Sequence, residues 1–453
     1  LQEKSCSKWG MVRLHSSFFR AENAHIFVRR REFEVMKKWL KYGMILSMLV
    51  FLFYGNISIA AENMNAVYAD TKGTNSWWVY PLSVDNDKYV YTSYTNGGFS
   101  GLQQYDRKTG KIKRKNLAKV KKDDHNAGAV EFLDDGRLLY TVTGHGQFHY
   151  VKVFVSTKKD DITKWRSVNL ETEGSATYAQ IIKMSSGYYL FTRGKIVPDQ
   201  TNDREPNRWY WSAFYSKDGI KWSKEQKVIW ADVTQYYLKA TPCTDSERIR
   251  LTMYSNPNAG QTDIRLAFFG TKKRVIVNSA GKKLYTVSDT GAGLSFWNVP
   301  IIIEKGETNQ RLLDVAVSST DKTMIAYATF QDASNAMYKF ALHNAKTGKT
   351  KIISIVDSGN AFFSSSCYFG GMVFSSKYDS VMYLSRKMDG LWRIEQWNRR
   401  KGEYHFAKLI ATSTSNLIRP FVSKNKSILQ WSEGFYDTGS FKKADMSIRR
   451  YKN

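Results

Sequence analysis

Past residue 61 the chain shows almost no helical period. Short runs rich in Val, Ile, Tyr, Phe and Trp recur about every 10 to 15 residues, split by Gly, Asp and Asn, which is the signature of strands joined by turns. Trp77–Tyr80, Tyr89–Tyr94 and Leu102–Tyr105 open the series; Arg248–Tyr254, Asp263–Phe269, Leu312–Ser318, Thr323–Phe330, Val381–Arg386, Trp392–Trp397, Ser427–Trp431 and Met446–Tyr451 continue it. Two turns echo each other: Asp106-Arg107-Lys108-Thr109-Gly110-Lys111 and Asn344-Ala345-Lys346-Thr347-Gly348-Lys349. Ser216-Lys217-Asp218-Gly219-Ile220-Lys221-Trp222 fits the S-x-D-G-x-x-W hairpin called an Asp box, and a degenerate copy runs from Ser156 through Asp160-Asp161 to Trp165. Its Asp and Gly shape a turn and its Trp packs between units, so the motif carries period rather than chemistry. The two Trp residues stand 57 apart, near the about 40–50 residues of known propeller repeats. Roughly 390 residues of such four-stranded units allow seven or eight blades, and the expected fold is an all-β, seven-bladed β-propeller of four-stranded antiparallel blades, a closed ring with few exposed sheet edges. No low-complexity linker interrupts it, so residues 62–453 read as a single domain.

The first 61 residues are different. Residues 1–35 carry no structural pattern and read as an upstream extension. Met36-Lys37-Lys38-Trp39-Leu40-Lys41 is a basic start, Met44 to Tyr54 an apolar run, and Ser58-Ile59-Ala60 a small-residue cleavage site. Residues 36–61 therefore read as a secretory signal peptide, too short and wrongly flanked for a stable membrane span. Met36 is the expected natural start, and the mature protein is expected outside the cytoplasm, extracellular or periplasmic. Residues 1–61 hold ten basic and four acidic side chains, which leaves the remainder +21 of the chain's formal +27. A domain this basic favours a polyanion: an acidic polysaccharide, an anionic wall polymer or nucleic acid. Cys6 precedes the signal, and Cys243 and Cys367 alone imply no disulfide framework.

Candidate chemistry gathers on one hairpin. Asp123-Asp124-His125-Asn126 precedes Ala129–Phe132; the turn Asp134-Asp135-Gly136 follows, then Arg137–Thr143 and Gly144-His145-Gly146. The hairpin would bring its outer ends, and so His125 and His145, together. Neutral imidazoles can exchange protons near neutral pH, so the pair is a candidate proton-transfer site. Asp123 and Asp124, as neighbours on an extended segment, would point to opposite faces and make a poor glycosidase pair. The clustered arginines a sialidase needs cannot be assembled from the sequence. Zinc on His125, His145 and His149 has weak support, with no Cys or further His nearby.

These segments, with Thr177-Tyr178-Ala179-Gln180, Tyr189–Gly194, Gln235-Tyr236-Tyr237-Leu238-Lys239, the Asp box and Trp431-Ser432-Glu433-Gly434-Phe435-Tyr436, follow an order that resembles the BNR-repeat propeller family that includes the secreted ulvan lyases. The resemblance spans the whole region after the signal, and the D-D-H-N and G-H-G pair is its most specific part. It implies β-elimination of an acidic, uronate-containing polysaccharide. Arg193 would neutralise the uronate carboxylate, and His125, His145 and Tyr178 would serve as acid and base, with His or Tyr as the base left open. Asn126, Tyr237 and Lys239 would bind substrate. No cofactor is required and no nucleic-acid partner is expected; a structural divalent cation has no assigned ligands. The chain departs from the family in having Ala179 and Tyr236 where Pro is expected, and Asn256-Pro257 in place of His-Pro. The alternative is a non-catalytic propeller that binds anionic glycans or cell-wall polymers.

Overall fold

In the computed structural model the described residues are 67–197, 208–232, 235–256, 262–332, 334, 336–360, 368–375, 380–425, 428–436 and 445–451. The signal-peptide reading, Pro257 and Cys367 lie outside them. They form seven sheets, antiparallel but for one short edge strand, all within one compact unit, Glu62–Asn453. Blade I comprises Ser83–Asp85, Tyr89–Asn96, Phe99–Asp106 and Ile112–Lys119; blade II comprises Val130–Phe132, Leu138–Val142, Tyr150–Ser156 and Trp165–Glu171. Blade III holds Ser175–Met184, Gly187–Ile196, Arg208–Ser216 and Gln226–Asp232, with Leu294–Ser295 added in parallel at its edge. Blade IV is built on Tyr236–Pro242, Arg248–Ser255, Ile264–Gly270 and Val275–Val277, extended by Lys283–Thr286 and Ile301–Ile303. Blade V holds Asn309–Val317, Thr323–Phe330, Ala336–Asn344 and Lys349–Asp357. Blade VI holds Gly371–Phe374, Val381–Met388, Leu391–Arg400 and Glu403–Ser413.

Blade VII draws on both ends of the described chain. Asn416–Val422, Leu429–Phe435 and Asp445–Tyr451 pair in order, and Val67–Lys72 adds the outermost strand against Asp445–Tyr451. The seven-bladed, all-β architecture read from the sequence is therefore present. The first strands of successive blades touch around the axis, and the ring closes where Gln430 links Thr92 to Ser83 at 2.7 and 3.0 Å.

Burial follows distance from the axis. Gly187–Ile196 is buried over its first eight residues, whereas Ile112–Lys119 is mostly exposed. Inner strands are covered on both faces and carry apolar or hydroxyl residues; outer strands face water on one side. Tyr140 pins blade II to blade I: its hydroxyl lies 2.8 Å from Ser100 Oγ and 3.0 Å from the Gly101 carbonyl it donates to. The turns Asp106–Lys111 and Asn344–Lys349 both join third strand to fourth, in blades I and V, as do the turns closed by Trp165 and Trp222 in blades II and III.

One expectation fails. Trp77–Tyr80 is no strand; it makes a turn and a single bridge from Tyr80 to Gln180. Its aromatic and β-branched content imitates a strand, but the large rings are used to pack the axis instead. Gln180 holds this segment to two blades, donating to the Trp78 and Leu238 carbonyls at 3.1 and 2.6 Å and accepting from Ala240 N–H at 2.8 Å. Beside it a cavity of about 540 Å³ follows the axis between blades IV, V, VI and VII. Cys243 is buried with a free thiol.

Candidate active site

The Asp-Asp-His-Asn stretch folds as a single 3-10 turn, Asp124–Asn126, capped by Asp123 in extended conformation. Adjacent carboxylates on such a turn need not point apart. Asp123 Oδ1 accepts from the His125 backbone N–H at 2.8 Å, as capping requires, and from the His125 ring at Nδ1, 2.5 Å away. Asp124 Oδ1 lies 2.8 Å from the same Nδ1. The expected divergence of the two carboxylates is thereby corrected: both meet His125, because the extended segment ends at Asp123 and the chain turns at Asp124, so the alternation of a strand does not hold across the pair.

His145 arrives from the loop after Leu138–Val142. Gly144, His145 and Gly146 have φ of +73°, +47° and +74°, a run of left-handed residues that two flanking glycines make affordable. A Cβ at position 144 would sit 2.7 Å from the Phe148 ring. Gln147 Oε1 accepts from Lys121 N–H at 2.9 Å and so ties this loop to the one bearing His125. The two imidazoles stack at 3.9 Å with a 14° tilt. Asp123 bridges them, its Oδ2 lying 2.7 Å from His145 Nδ1.

The stack leaves the two rings in different states. Burial alone would depress His125, but the Asp124 charge and hydrogen bonds to Asp123 and Asp124 raise its pKa to about 10. It is an imidazolium at neutral pH. His145 moves down: burial, then the positive His125 and Arg193 nearby, outweigh the help from Asp123. It is neutral at pH 7. An ionised carboxylate only accepts, so the proton of neutral His145 sits on Nδ1 and its Nε2 lone pair is available. Both carboxylates resist their own burial through these partners and are held below the usual carboxylate range.

Blade III supplies Tyr178 and Arg193. Tyr178 is the extra residue of a bulge between Thr177 and Ala179, with φ of +60°, and its carbonyl accepts from Thr192 Oγ1 at 2.8 Å. The bulge turns its ring toward the histidines, 5.7 Å from His125 and 6.5 Å from His145. Arg193 is 3% exposed. Its guanidinium carbon lies 4.8 Å from the Tyr178 and Trp209 rings and 5.2 Å from Tyr237. Its Nε and Nη1 have no acceptor among the described residues. Tyr237 continues an aromatic stack through Trp78 at 5.0 Å and Tyr254 at 5.5 Å. Burial drives the Tyr178 hydroxyl well above its ordinary value, with Arg193 opposing, so it carries its proton.

His125, His145, Tyr178, Arg193 and Tyr237 are thus brought together. Asn126 and Lys239 are placed differently. Asn126 is fully buried and donates from Nδ2 to the Lys121 carbonyl at 2.7 Å. Lys239 lines the axial cavity, 3.3 Å from Asp314 and 4.1 Å over the Tyr80 ring.

Sequence reading missed the support behind His125. Asp124 Oδ2 is 2.5 Å from Arg419 and accepts from the Tyr436 hydroxyl; Arg419 donates to the Asn75 carbonyl at 2.6 Å. It also missed that arginines from three blades gather on one aromatic cluster. Arg311 and Arg419 lie 5.8 and 5.6 Å from Trp77, while Arg193 faces Tyr237. Arg419 is committed to Asp124. The donors nearest to a metal set are Asp123, His125 and His145, not the trio with His149, which is exposed in the next strand's approach. At 2.5 and 2.7 Å their contacts are hydrogen bonds, with both Nδ1 atoms directed at the carboxylate rather than at a shared cation.

Residues 75–361 match the BNR repeat-containing family. No curated protein sequence matches. Among solved structures, an ulvan lyase described as a new polysaccharide lyase family, PL25, and bound to GlcA(1-4)Rha3S is similar over 84% of this chain and 94% of its own, with a TM-score of 0.63 and 14% identity. A second polysaccharide lyase is similar over 82% of this chain and 89% of its own, with a TM-score of 0.53 and 12% identity. At these identities the likeness is one of fold. No helix among the described residues is long and apolar enough to cross a membrane.

Proposed function

The chain belongs to the BNR repeat-containing family, and from that premise we propose that it is a polysaccharide lyase cleaving an acidic, uronate-bearing glycan by β-elimination. One observation carries the reading. Arg193 is a buried guanidinium with two nitrogens lacking acceptors, which is costly unless an anion completes the site. A substrate carboxylate would supply that anion in bidentate form. It would then lie beside a neutral imidazole and a protonated phenol.

The proposed step uses these groups in turn. Arg193 and the His125 imidazolium stabilise the enediolate that develops when the proton α to the carboxylate leaves. His145 Nε2 takes that proton; Asp123 holds the ring in the required tautomer. The freed electron pair forms the new C=C bond, the glycosidic C–O bond breaks, and the Tyr178 O–H protonates the leaving oxygen. Asp123 and Asp124 are both held ionised, so neither is suited to the general-acid half of a hydrolase pair. Secretion through residues 36–61 is part of the proposal and fits an extracellular polymer.

The test is incubation with ulvan, alginate, pectate, chondroitin and heparinoids, followed by ultraviolet absorbance of unsaturated uronate. Appearance of that chromophore with any of them supports the lyase. Tight binding with no new double bond across the panel would replace it with the glycan-binding alternative.

A further inference from the structure

The basic charge of this chain is unevenly placed. Residues 107–122 contain nine Lys or Arg and no Asp or Glu. They cover the outermost strand of blade I, Ile112–Lys119, with the turn before it and the loop after it. The outermost strands of blades III, V and VI are different: Gln226–Asp232, Lys349–Asp357 and Glu403–Ser413 carry at most two Lys and each includes an acid. The outer edge of blade IV, residues 271–286, is also basic but holds five Lys or Arg, of which Lys272 and Arg274 are ion-paired. Lys111, Lys113, Lys115, Lys119 and Lys121 are exposed, and none of them has a carboxylate within ion-pair distance among the described residues.

The strand is eight residues long, about 26 Å at ~3.3 Å per residue. Its upper end continues through Val120 and Lys121 into Asp123, the residue that bridges the two histidines. The Lys121 backbone is fixed to both site loops, accepting from Asn126 and donating to Gln147. The positive stripe therefore begins at the rim of the site and descends the outer wall. Charged side chains on the strand itself protect a sheet edge from pairing; that does not account for the charge continuing through the turn below and the loop above. A like-charged surface of this kind repels itself and is relieved by a polymeric counter-ion.

We propose that this stripe is a second, non-catalytic binding site for a polyanionic glycan, holding a stretch of polymer whose neighbouring segment enters the histidine site. It rests on the lyase reading only for the identity of that polymer.

Heparin, a sulfated uronate polymer, serves as probe. The variant Lys111→Gln/Lys113→Gln/Lys115→Gln/Lys119→Gln is compared with Lys346→Gln/Lys349→Gln/Lys351→Gln/Lys401→Gln, which removes the same charge from exposed positions on blades V and VI. Both are measured by heparin affinity against salt, with circular dichroism to verify folding. The blade I variant is expected to bind at least about tenfold more weakly at low salt and to show a shallower salt dependence, since fewer counter-ions are released; the control variant should bind like the parent. Equal weakening of the two would assign binding to net charge and overturn the proposal, as would unchanged binding by the blade I variant. The readout is binding, so absence of lyase activity leaves the test intact.

Discussion

Replacing Arg193 by Ala separates catalysis from stability. In the folded chain the guanidinium faces three aromatic rings at 4.8, 4.8 and 5.2 Å, each contact contributing about 2 kcal/mol when desolvated. Against this roughly 6 kcal/mol stands the cost of burying Nε and Nη1 without acceptors, about 1–3 kcal/mol per group and more for a charged one. The two nearly cancel, so Arg193→Ala should move Tm by no more than about 5 °C. Turnover should respond very differently. The group acts on charge that develops in the transition state, and its loss should lower kcat/KM by about 10²–10³, or roughly 3–4 kcal/mol. Arg193→Lys should recover little, because an ammonium keeps the charge without the planar fork. The assay is initial rate of unsaturated-uronate formation beside a thermal melt. A folded Arg193→Ala protein with turnover within about tenfold of the parent would refute the role assigned to the guanidinium. A drop in Tm of more than about 10 °C would refute the balance of terms.

Two further outcomes follow from the histidine stack. The folded-state pKa of His125 is raised to about 10 from about 6.5 in the unfolded chain, so its stabilisation is complete below about 6.5 and is lost as pH rises through about 10. Tm should fall across that window in the parent and much less in His125→Ala; parallel profiles would contradict the assignment. His145 is shifted down, so kcat/KM should lose its base only on the acid side of an ordinary histidine, and an acid limb that persists unchanged in His145→Ala would exclude it as the base. Asp124→Ala strands Arg419, which is buried beside it, and should cost about 3–5 kcal/mol in denaturant unfolding. Lys72→Ala, removing an ion pair exposed at both ends, should leave the midpoint where it is.

Local pattern made the blades legible. Each hairpin alternates or saturates its apolar positions within a few residues, and the ends of Val130–Phe132 and Leu138–Val142 carry His125 and His145 to one place as their pairing requires. What the pattern cannot carry is the exception to it. Tyr178 and Arg419 have φ of +60° and +55° at irregular points of inner strands, and nothing in their neighbours marks a bulge. The contact of Tyr436 with Asp124 spans 312 residues, a distance at which only the closed ring makes them neighbours. Trp77–Tyr80 misleads for the opposite reason: composition suited to a pleated surface also suits the packing of an axis.

The shared construction of blade VII bears on how the molecule is made. Lys72 and Asp445, joined across one end of its outer strand pair, are 373 residues apart, and every pairing of Val67–Lys72 waits for Asp445–Tyr451. During synthesis the first described strand of the propeller emerges without its partner and must stay uncommitted until Asp445–Tyr451 leaves the ribosome. The loop-closure penalty for so long a separation grows only as about (3/2)RT ln n, so time rather than free energy is the constraint. Arg419 and Tyr436, which brace Asp124 behind His125, lie in the same late blade. A nascent chain would therefore display its finished histidine hairpin well before that hairpin is held in its working form, and competence would arrive in one final step with the seam.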